Sequence, residues 1–448
     1  MTGSHVLPGD IILEIAGFAT STGKSEELCN LRLVSKRFDN LISPLLFSTI
    51  RLEFRDADCR RSTAPDHTRC QEIIQALATR STTVFDHTKK LYFSLGGLHS
   101  TNSEDVSAAR TSLSDEIFNA ICGLKNLRTI HCFFDTRPDT EELAIKIIRA
   151  LGTLSSFQGF EYIGFSTPFH FTLSAFTFKP LSNLTIFRIG GDWDNPENVI
   201  PEVASLLSRC PEMTELSLNG RYSSRLEKPT LRDIFSEIGQ LERPWKLQKL
   251  ELISVIVTLD DIEAYIRHLK HLTFLEIFDN PFSPTFGQIW DIFQQNGIAL
   301  KELSTDHLED PLYLHYLSSY SGLTSLKLKP SPERYENPEA VLPKHAETLE
   351  SLALEWCGTP TKEGIAELVK CQKLTDLQVC VDEMWFDAGL QLSNLAHLLL
   401  LPPETHEGDD WLTFNHAVTE ILLKYREERG LNFGVNYNWL RKALPGDD

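Results

Sequence analysis

Two stretches of the sequence, Leu247-Gln248-Lys249-Leu250-Glu251-Leu252 and Leu272-Thr273-Phe274-Leu275-Glu276-Ile277, share one pattern of apolar residues. An apolar residue opens each stretch, and two more follow it three and five positions later. The pattern returns on average about every 27 residues, a period that indicates stacked copies of one supersecondary unit. The other copies are Leu127/Ile130/Cys132, Phe157/Phe160/Tyr162, Leu184/Phe187/Ile189, Met213/Leu216/Leu218, Leu300/Leu303/Thr305, Leu323/Leu326/Leu328, Leu349/Leu352/Leu354, Leu374/Leu377/Val379, Leu395/Leu398/Leu400 and a degenerate Leu91/Phe93.

The segments between these copies favour helices, because their apolar residues recur at helical spacing. In 259–269, for example, Ile262, Tyr265, Ile266 and Leu269 fall on one face. Proline and acidic residues open several segments, as helix N-termini prefer. The helices are expected at 140–151, 198–209, 230–241, 260–269, 286–295 and 362–371.

A unit of one short strand and one helix cannot bury its apolar face alone, whereas stacked parallel units can. Helices are wider than strands, so the stack should curve. The sequence therefore predicts an α/β fold, a curved solenoid with parallel strands on the concave side and helices on the convex side. An ordinary doubly wound sheet is less favoured, because it needs longer apolar strands and a glycine-rich first turn.

The repeated pattern resembles that of the leucine-rich repeat family over about three quarters of the chain. The stretch from Leu349 to Cys357 is the clearest complete copy, whereas most others lack the polar residue that follows in the family. The resemblance implies about eleven or twelve irregular repeats, assigned to residues 56–401.

Residues 1–55 carry no such repeat and predict two or three short helices. Pro8, Asp10 and Glu14 suit the start of a first helix, and Leu31, Val34, Phe38 and Leu41 would share a face of a second. Helices this short form no stable core alone, so they either cap the repeats or bind another protein.

The run Leu7-Pro8-Gly9-Asp10-Ile11-Ile12-Leu13-Glu14-Ile15, followed by Leu31-Arg32-Leu33-Val34-Ser35-Lys36-Arg37-Phe38, resembles the F-box. Phe38 stands where a tryptophan is often found, and the loop between the helices is long. The resemblance implies that this segment binds the Skp adaptor of an SCF-type cullin–RING ubiquitin ligase. The implied adaptor-binding residues are Leu7, Pro8, Ile11, Ile12, Ile15, Leu31, Val34 and Leu41.

Residues 402–448 are expected to cap the last repeat, because the final unit of a solenoid would otherwise expose its core. The apolar side of a helix over 411–428 would supply the cap together with three later aromatic residues. These residues are Trp411, Phe414, Val418, Ile421, Leu422, Tyr425, Phe433, Tyr437 and Trp439.

Composition and motifs narrow the function further. Forty-three basic against sixty-two acidic residues give a formal net charge of −19, which disfavours nucleic acid and anionic membranes as partners. No apolar run reaches membrane-spanning length, and the chain opens without a secretory pattern. Nine scattered cysteines are typical of reduced thiols, so a cytoplasmic or nuclear location, or both, is expected. No catalytic, metal-binding or cofactor-binding motif is recognised, so a non-catalytic protein without cofactors is expected.

Residues that alternate with the inward leucines should face the concave surface. In the middle of the chain these residues are acidic and aromatic, which predicts a protein substrate with a basic or neutral segment and an apolar anchor. The carboxylates could equally be no more than a solvated face. The predicted substrate-binding residues are Glu251, Phe274, Glu276, Phe278, Glu302 and Asp306, with Trp356 and Trp385 as exposed aromatic anchors on the loops after their strands.

The leading hypothesis is a substrate-recognition subunit of an SCF-type ubiquitin ligase, which binds the adaptor through the F-box and its substrate through the repeats. The alternative is a leucine-rich-repeat scaffold or inhibitor that acts by protein–protein interaction without ubiquitination. An enzyme is the least favoured hypothesis, because no active-site motif supports it.

Overall fold

A computed structural model describes residue 12 and the ranges 25–54, 67–95, 104–135, 138–165, 177–192, 196–221, 228–241, 243–280, 286–306, 312–329, 338–354, 360–380 and 383–401. The chain divides into two compact units, Met1–Trp245 and Lys246–Asp448. The predicted C-terminal cap, 402–448, lies outside the described residues.

Among its described residues, the first unit contains six strands and seven helices. The strands are β1 (Thr49–Phe54), β2 (Lys90–Leu95), β3 (Thr129–Asp135), β4 (Gly159–Phe165), β5 (Ile186–Asp192) and β6 (Glu215–Arg221). The helices are α1 (Ser25–Arg32), α2 (Lys36–Leu46), α3 (His67–Ala78), α4 (Glu104–Gly123), α5 (Pro138–Leu151), α6 (Pro196–Ser208) and α7 (Leu231–Ile234), with short 3₁₀ turns at Val84–Asp86 and Ile238–Gln240.

The second unit repeats the same alternation. Its strands are β7 (Lys249–Ile253), β8 (Phe274–Phe278), β9 (Glu302–Thr305), β10 (Ser325–Leu328), β11 (Ser351–Leu354), β12 (Asp376–Cys380) and β13 (His397–Leu401). Its described helices are α8 (Leu259–Leu269), α9 (Gln288–Gln295), α10 (Leu312–Ser318), α11 (Leu342–His345), α12 (Lys362–Leu368) and α13 (Glu383–Gln391), with a 3₁₀ turn at Pro338–Val341.

Within each unit the strands lie in chain order and pair in parallel. The prediction of parallel strands is confirmed, and each copy of the apolar pattern coincides with one of β2 to β13. The exception is β1, which the repeat did not identify. This strand lies inside residues 1–55, the segment assigned to helices alone.

A backbone carbonyl just before each strand sets the register of these pairs. The Gln248 carbonyl accepts hydrogen bonds from the N–H groups of Thr273 and Phe274, both at 2.9 Å. The Thr273 carbonyl accepts in turn from Lys301 and Glu302. The same arrangement runs from Ser48 to Thr185 in the first unit and from Gln248 to Thr375 in the second. We call these groups the strand-start carbonyls.

Threonine strengthens several of these positions. In five repeats the residue before the strand is a threonine whose hydroxyl donates to the same carbonyl as the backbone, at 3.0–3.3 Å. These residues are Thr185, Thr214, Thr273, Thr324 and Thr375. Each of these carbonyls therefore accepts three hydrogen bonds, two from backbone N–H groups and one from a threonine hydroxyl.

The alternation of side chains follows from this register. In β8, Leu275 and Ile277 are buried, whereas Phe274, Glu276 and Phe278 are half-buried on the opposite face. Burying one such aliphatic side chain contributes about 1.5–3 kcal/mol before the entropic cost of ordering is subtracted.

Polar groups fix the helices that return to each strand. Thr258 begins α8 through a reciprocal capping box with Asp261. After β8, the buried Asn280 side chain accepts from the Val257 N–H at 3.1 Å and donates to the Val257 carbonyl at 3.2 Å. Asn280 therefore fills the polar position that follows the apolar pattern, the position for which Cys357 was the clearest example in the sequence.

The expected helix over 230–241 is shorter than predicted, since α7 ends at Ile234.

The N-terminal helices α1 and α2 enclose a small apolar cluster of their own. Ile12, Leu28 and Ile42 are buried in it, and Leu31, Phe38, Leu41 and Leu46 pack against it. Ser35 separates the two helices, because its hydroxyl accepts from the Phe38 N–H at 3.3 Å and caps α2. The prediction that Leu31, Val34, Phe38 and Leu41 share one face of a single helix is therefore wrong, since Val34 lies in the turn and Leu31 in the preceding helix.

Among the described residues, no helix is both long enough and apolar enough to cross a lipid bilayer.

A contact between neighbouring repeats predicts the effect of two glycine substitutions. The buried carboxylate of Glu339 accepts from the Thr361 N–H at the start of α12, and a Cβ on Gly364 would overlap that carboxylate. We expect Gly364→Ala to lower the free energy of unfolding by about 1–3 kcal/mol. Gly389→Ala is the matched control, because a Cβ in α13 would meet only ordinary contacts at 3.5 Å and should be neutral or slightly stabilising. Urea unfolding followed by circular dichroism measures both, and equal stability of the two variants would contradict this account.

Candidate functional site

The turn between α1 and α2 exposes two apolar side chains. Leu33 and Val34 are 76% and 66% exposed, respectively. They protrude from a helical pair whose buried residues Leu28 and Ile42 anchor it, and Leu45 of α2 is also 41% exposed. The turn therefore offers a small apolar surface. We call Leu33 and Val34 the exposed turn pair.

The predicted adaptor-binding residues have different positions. Ile12 is only 2% exposed and belongs to the apolar cluster, so its prediction as an adaptor-facing residue is wrong for this arrangement. Leu31 and Leu41 are half-buried against the same cluster, and Val34 is exposed. Leu7, Pro8, Ile11 and Ile15 lie outside the described residues. Leu33 was not predicted to bind the adaptor, because helical spacing placed it between the apolar positions.

The second unit brings most of the predicted substrate-binding residues together on the solvent side of β7 to β10. Glu251 and Glu276 are direct partners on adjacent strands, and Phe274 and Phe278 flank Glu276 along β8. Glu302, the partner of Phe274 on β9, is exposed. We call Glu251, Phe274, Glu276, Phe278 and Glu302 together the second-unit strand face.

Two lysines neutralise part of this face. The Lys249 ammonium lies 2.7 Å from Oε1 of Glu251 and 4.0 Å from the centre of the Phe274 ring. The Lys327 ammonium lies 5.9 Å from the centre of the Phe278 ring. The face is therefore less acidic than its carboxylates alone indicate, and its phenyl rings already have cations beside them.

Burial raises the pKa of the Glu276 carboxyl above its usual range, and the Glu251 carboxylate raises it further. The ammonium groups of Lys327 and Lys249 oppose this rise. Asp306 has a structural role, because its Oδ2 accepts a hydrogen bond at 2.8 Å from the N–H of Asp279, which follows β8.

The prediction that Trp385 is an exposed anchor is wrong. Trp385 lies in α13 and is fully buried, at 0% exposure. It shares a buried face with Ala388, Gly389 and Leu392, which follow at helical spacing. This helical spacing is visible in the sequence, but the segment after β12 was predicted to be a loop. Trp356 lies outside the described residues.

The first unit carries a row of contacts that the sequence analysis missed. The row crosses the solvent side of β1 to β5 in register, through Arg51, Tyr92, His131, Glu161 and Arg188. The rings of Tyr92 and His131 stack with centres 4.4 Å apart, and Nδ1 of His131 lies 2.8 Å from the Glu161 carboxylate. The predicted surface covered only the middle of the chain, so it did not include these residues.

Among the described residues, no group of three or more His, Cys, Asp or Glu side chains could hold a metal ion.

No family model and no curated protein matches the chain. Among solved structures, it is similar to a chain in the crystal structure of the Rad7 and Elc1 complex in yeast. The sequence identity is 16%, the TM-score is 0.42, and the match covers 91% of this chain and 96% of that chain. A likeness of this degree carries no argument about what this chain binds or does.

The charges around Glu276 predict how its pKa should change when a neighbouring charge is removed. We expect Glu251→Gln to lower the pKa of Glu276, because it removes a neighbouring negative charge, and Lys327→Gln to raise it, because it removes a positive one. The measurement is an NMR pH titration of the chain labelled with ¹³C-glutamate. Glu347→Gln, a change at an exposed position outside this face, serves as the control. A Glu276 pKa that is the same in the Glu251 and Glu347 variants would rule out this electrostatic account.

Proposed function

We propose that this chain is the substrate-recognition subunit of an SCF-type cullin–RING ubiquitin ligase. Its N-terminal helices would bind a Skp-family adaptor, and its repeats would hold a protein substrate. The observation that carries the proposal is the exposed turn pair, Leu33 and Val34, within a segment that resembles the F-box.

The physical argument concerns the cost of leaving this pair in water. Leu28 of α1 and Ile42 of α2 are buried in a cluster, whereas Leu33 and Val34, in the turn between the helices, remain exposed. Full burial of each side chain in a partner would contribute up to about 1.5–3 kcal/mol to binding. An apolar pair on an ordered support suits a protein-binding site, because preorganisation lowers the conformational entropy that binding costs.

Contacts within the chain stabilise the turn between α1 and α2 without a partner. Ser35 caps α2, and the Arg32 guanidinium lies 5.0 Å from the centre of the Phe47 ring, which joins the end of α1 to the residue after α2. These contacts fix the turn from both sides. We propose that adaptor binding uses this turn as it stands.

In this proposal the chain performs no chemistry and needs no cofactor. Its contribution would be to raise the effective concentration of a substrate near the ubiquitin-transfer machinery and to orient it. The proposed location is the cytoplasm, the nucleus or both, with neither nucleic acid nor membrane as a partner.

The second-unit strand face is the proposed substrate surface. Lys249 and Lys327 offset two of its carboxylates, whereas Glu302 is exposed, so a neutral or weakly basic segment with an apolar anchor fits best. The half-buried rings of Phe274 and Phe278 would contact that anchor.

Substitution at the exposed turn pair tests adaptor binding. We expect Leu33→Glu and Val34→Glu, made singly, each to weaken binding of a purified Skp-family adaptor by about tenfold or more, because each would bury an unpaired carboxylate at the interface. Leu399→Glu is the control, since Leu399 is also an exposed leucine, at 40%, and lies in β13. Surface plasmon resonance with the full chain measures the affinities. Leu7→Ala combined with Ile11→Ala tests the predicted residues outside the described ranges in the same assay.

Adaptor binding that is unchanged in the Leu33, Val34 and Leu7/Ile11 variants would end the F-box interpretation. Normal adaptor binding without cullin recruitment or ubiquitin transfer would instead favour the scaffold or inhibitor.

A further inference from the structure

The first unit carries four exposed cations at or near the start of three adjacent strands. Arg51 lies in β1, Lys89 and Lys90 lie at the start of β2, and Arg128 directly precedes β3. The Arg128 N–H donates to the strand-start carbonyl of Lys89 at 2.8 Å, which places these two residues at the same level of neighbouring repeats. We call these four residues the strand-start basic patch.

Within the described part of the chain, none of the four cations forms an ion pair. The contact of Arg51 is with an aromatic ring, since its Cζ lies 4.9 Å from the centre of Tyr92. The formal net charge of the protein is −19, so these cations are not needed to keep it soluble. A ligand of opposite charge would explain their presence.

Two carboxylates further along the solvent side of the sheet, those of Glu161 on β4 and Glu215 on β6, are already paired. Oε2 of Glu161 lies 2.8 Å from Nδ1 of His131 and 3.7 Å from Nη1 of Arg188. Oε2 of Glu215 lies 2.6 Å from Nη2 of Arg188. Both carboxylates are therefore already paired with His131 or Arg188.

The same contacts make the surface rigid. Tyr92 is held between the guanidinium of Arg51 and the imidazole of His131, and His131 is held by Glu161. Because a carboxylate can only accept, Nδ1 of His131 is the donor in this pair, and Nε2 remains for another partner. A row fixed in this way loses little conformational entropy when a ligand binds beside it.

We propose that the strand-start basic patch, with the Tyr92–His131 stack beside it, binds an acidic polypeptide segment. The patch covers three parallel strands, about 10 Å across, which an extended segment of roughly three or four residues would span. A short run of Asp or Glu matches this length and the four cations. The proposal is independent of adaptor binding, because it involves neither α1 nor α2.

Fluorescence anisotropy with the full chain at low salt tests this proposal. The probes are a fluorescein-labelled peptide with a run of about four glutamates, the same peptide with lysines, and an oligothymidylate of similar charge. We expect the glutamate peptide to bind, the lysine peptide not to bind, and the oligothymidylate to bind more weakly. The affinity for the glutamate peptide should fall as the salt concentration rises from about 50 to about 200 mM.

Charge reversal locates the site. Lys89→Glu with Lys90→Glu should weaken binding of the glutamate peptide by about tenfold or more. Lys301→Glu with Lys344→Glu is the matched control, because it reverses two exposed lysines of the second unit and Lys301 holds the repeat position that corresponds to Lys89. Arg51→Gln with Arg128→Gln provides a second pair with a smaller charge change, and circular dichroism confirms that every variant is folded.

Three results would overturn the proposal. They are no binding of the glutamate peptide, equal binding by the Lys89/Lys90 and Lys301/Lys344 variants, and tighter binding of the oligothymidylate than of the peptide. The last result would assign the patch to nucleic acid instead.

Discussion

The strand-start carbonyl is the interaction on which the rest of the structure depends. Within each unit, a carbonyl just before a strand accepts two backbone N–H groups from the next repeat, so neighbouring strands begin at the same level. A slip of one residue would turn the leucines outward and the charged residues inward, which no core could tolerate. This register therefore determines at once which side chains are buried and which are aligned in rows on the solvent side.

Rows of aligned side chains give each unit its own surface chemistry. In the first unit the row from Arg51 to Arg188 links cations, rings and a carboxylate into one chain of contacts, and in the described part of the chain the strand-start basic patch forms no ion pair. In the second unit two phenyl rings and two partly neutralised glutamates form the central rows. Backbone geometry is common to both units, so the differences between their surfaces come from the outward residues alone, which the apolar pattern does not constrain.

The difference between buried positions, which must be apolar, and outward positions, which are free to vary, explains what the sequence could predict. Twelve strands followed from the leucine positions, because burial restricts those residues to apolar types. β1 was missed because its apolar residues, Ile50 and Leu52, follow α2 directly and were counted with the helical segment. Trp385 was misplaced because its distance from the strand was considered and its helical spacing to Ala388 was not. The contacts of Lys249 with Glu251 and Phe274 depend on side-chain rotamers and on neighbouring strands, so the spacing of residues in the sequence does not predict them.

The central claim is that the turn between α1 and α2 binds an adaptor while the repeats remain free for a substrate. Hydrogen exchange of the full chain, measured by mass spectrometry with and without a purified Skp-family adaptor, tests this claim most directly. The account predicts slower exchange in peptides that cover residues 25–46 and unchanged exchange across β7 to β13. Unchanged exchange at residues 25–46, or protection confined to the second unit, would contradict it.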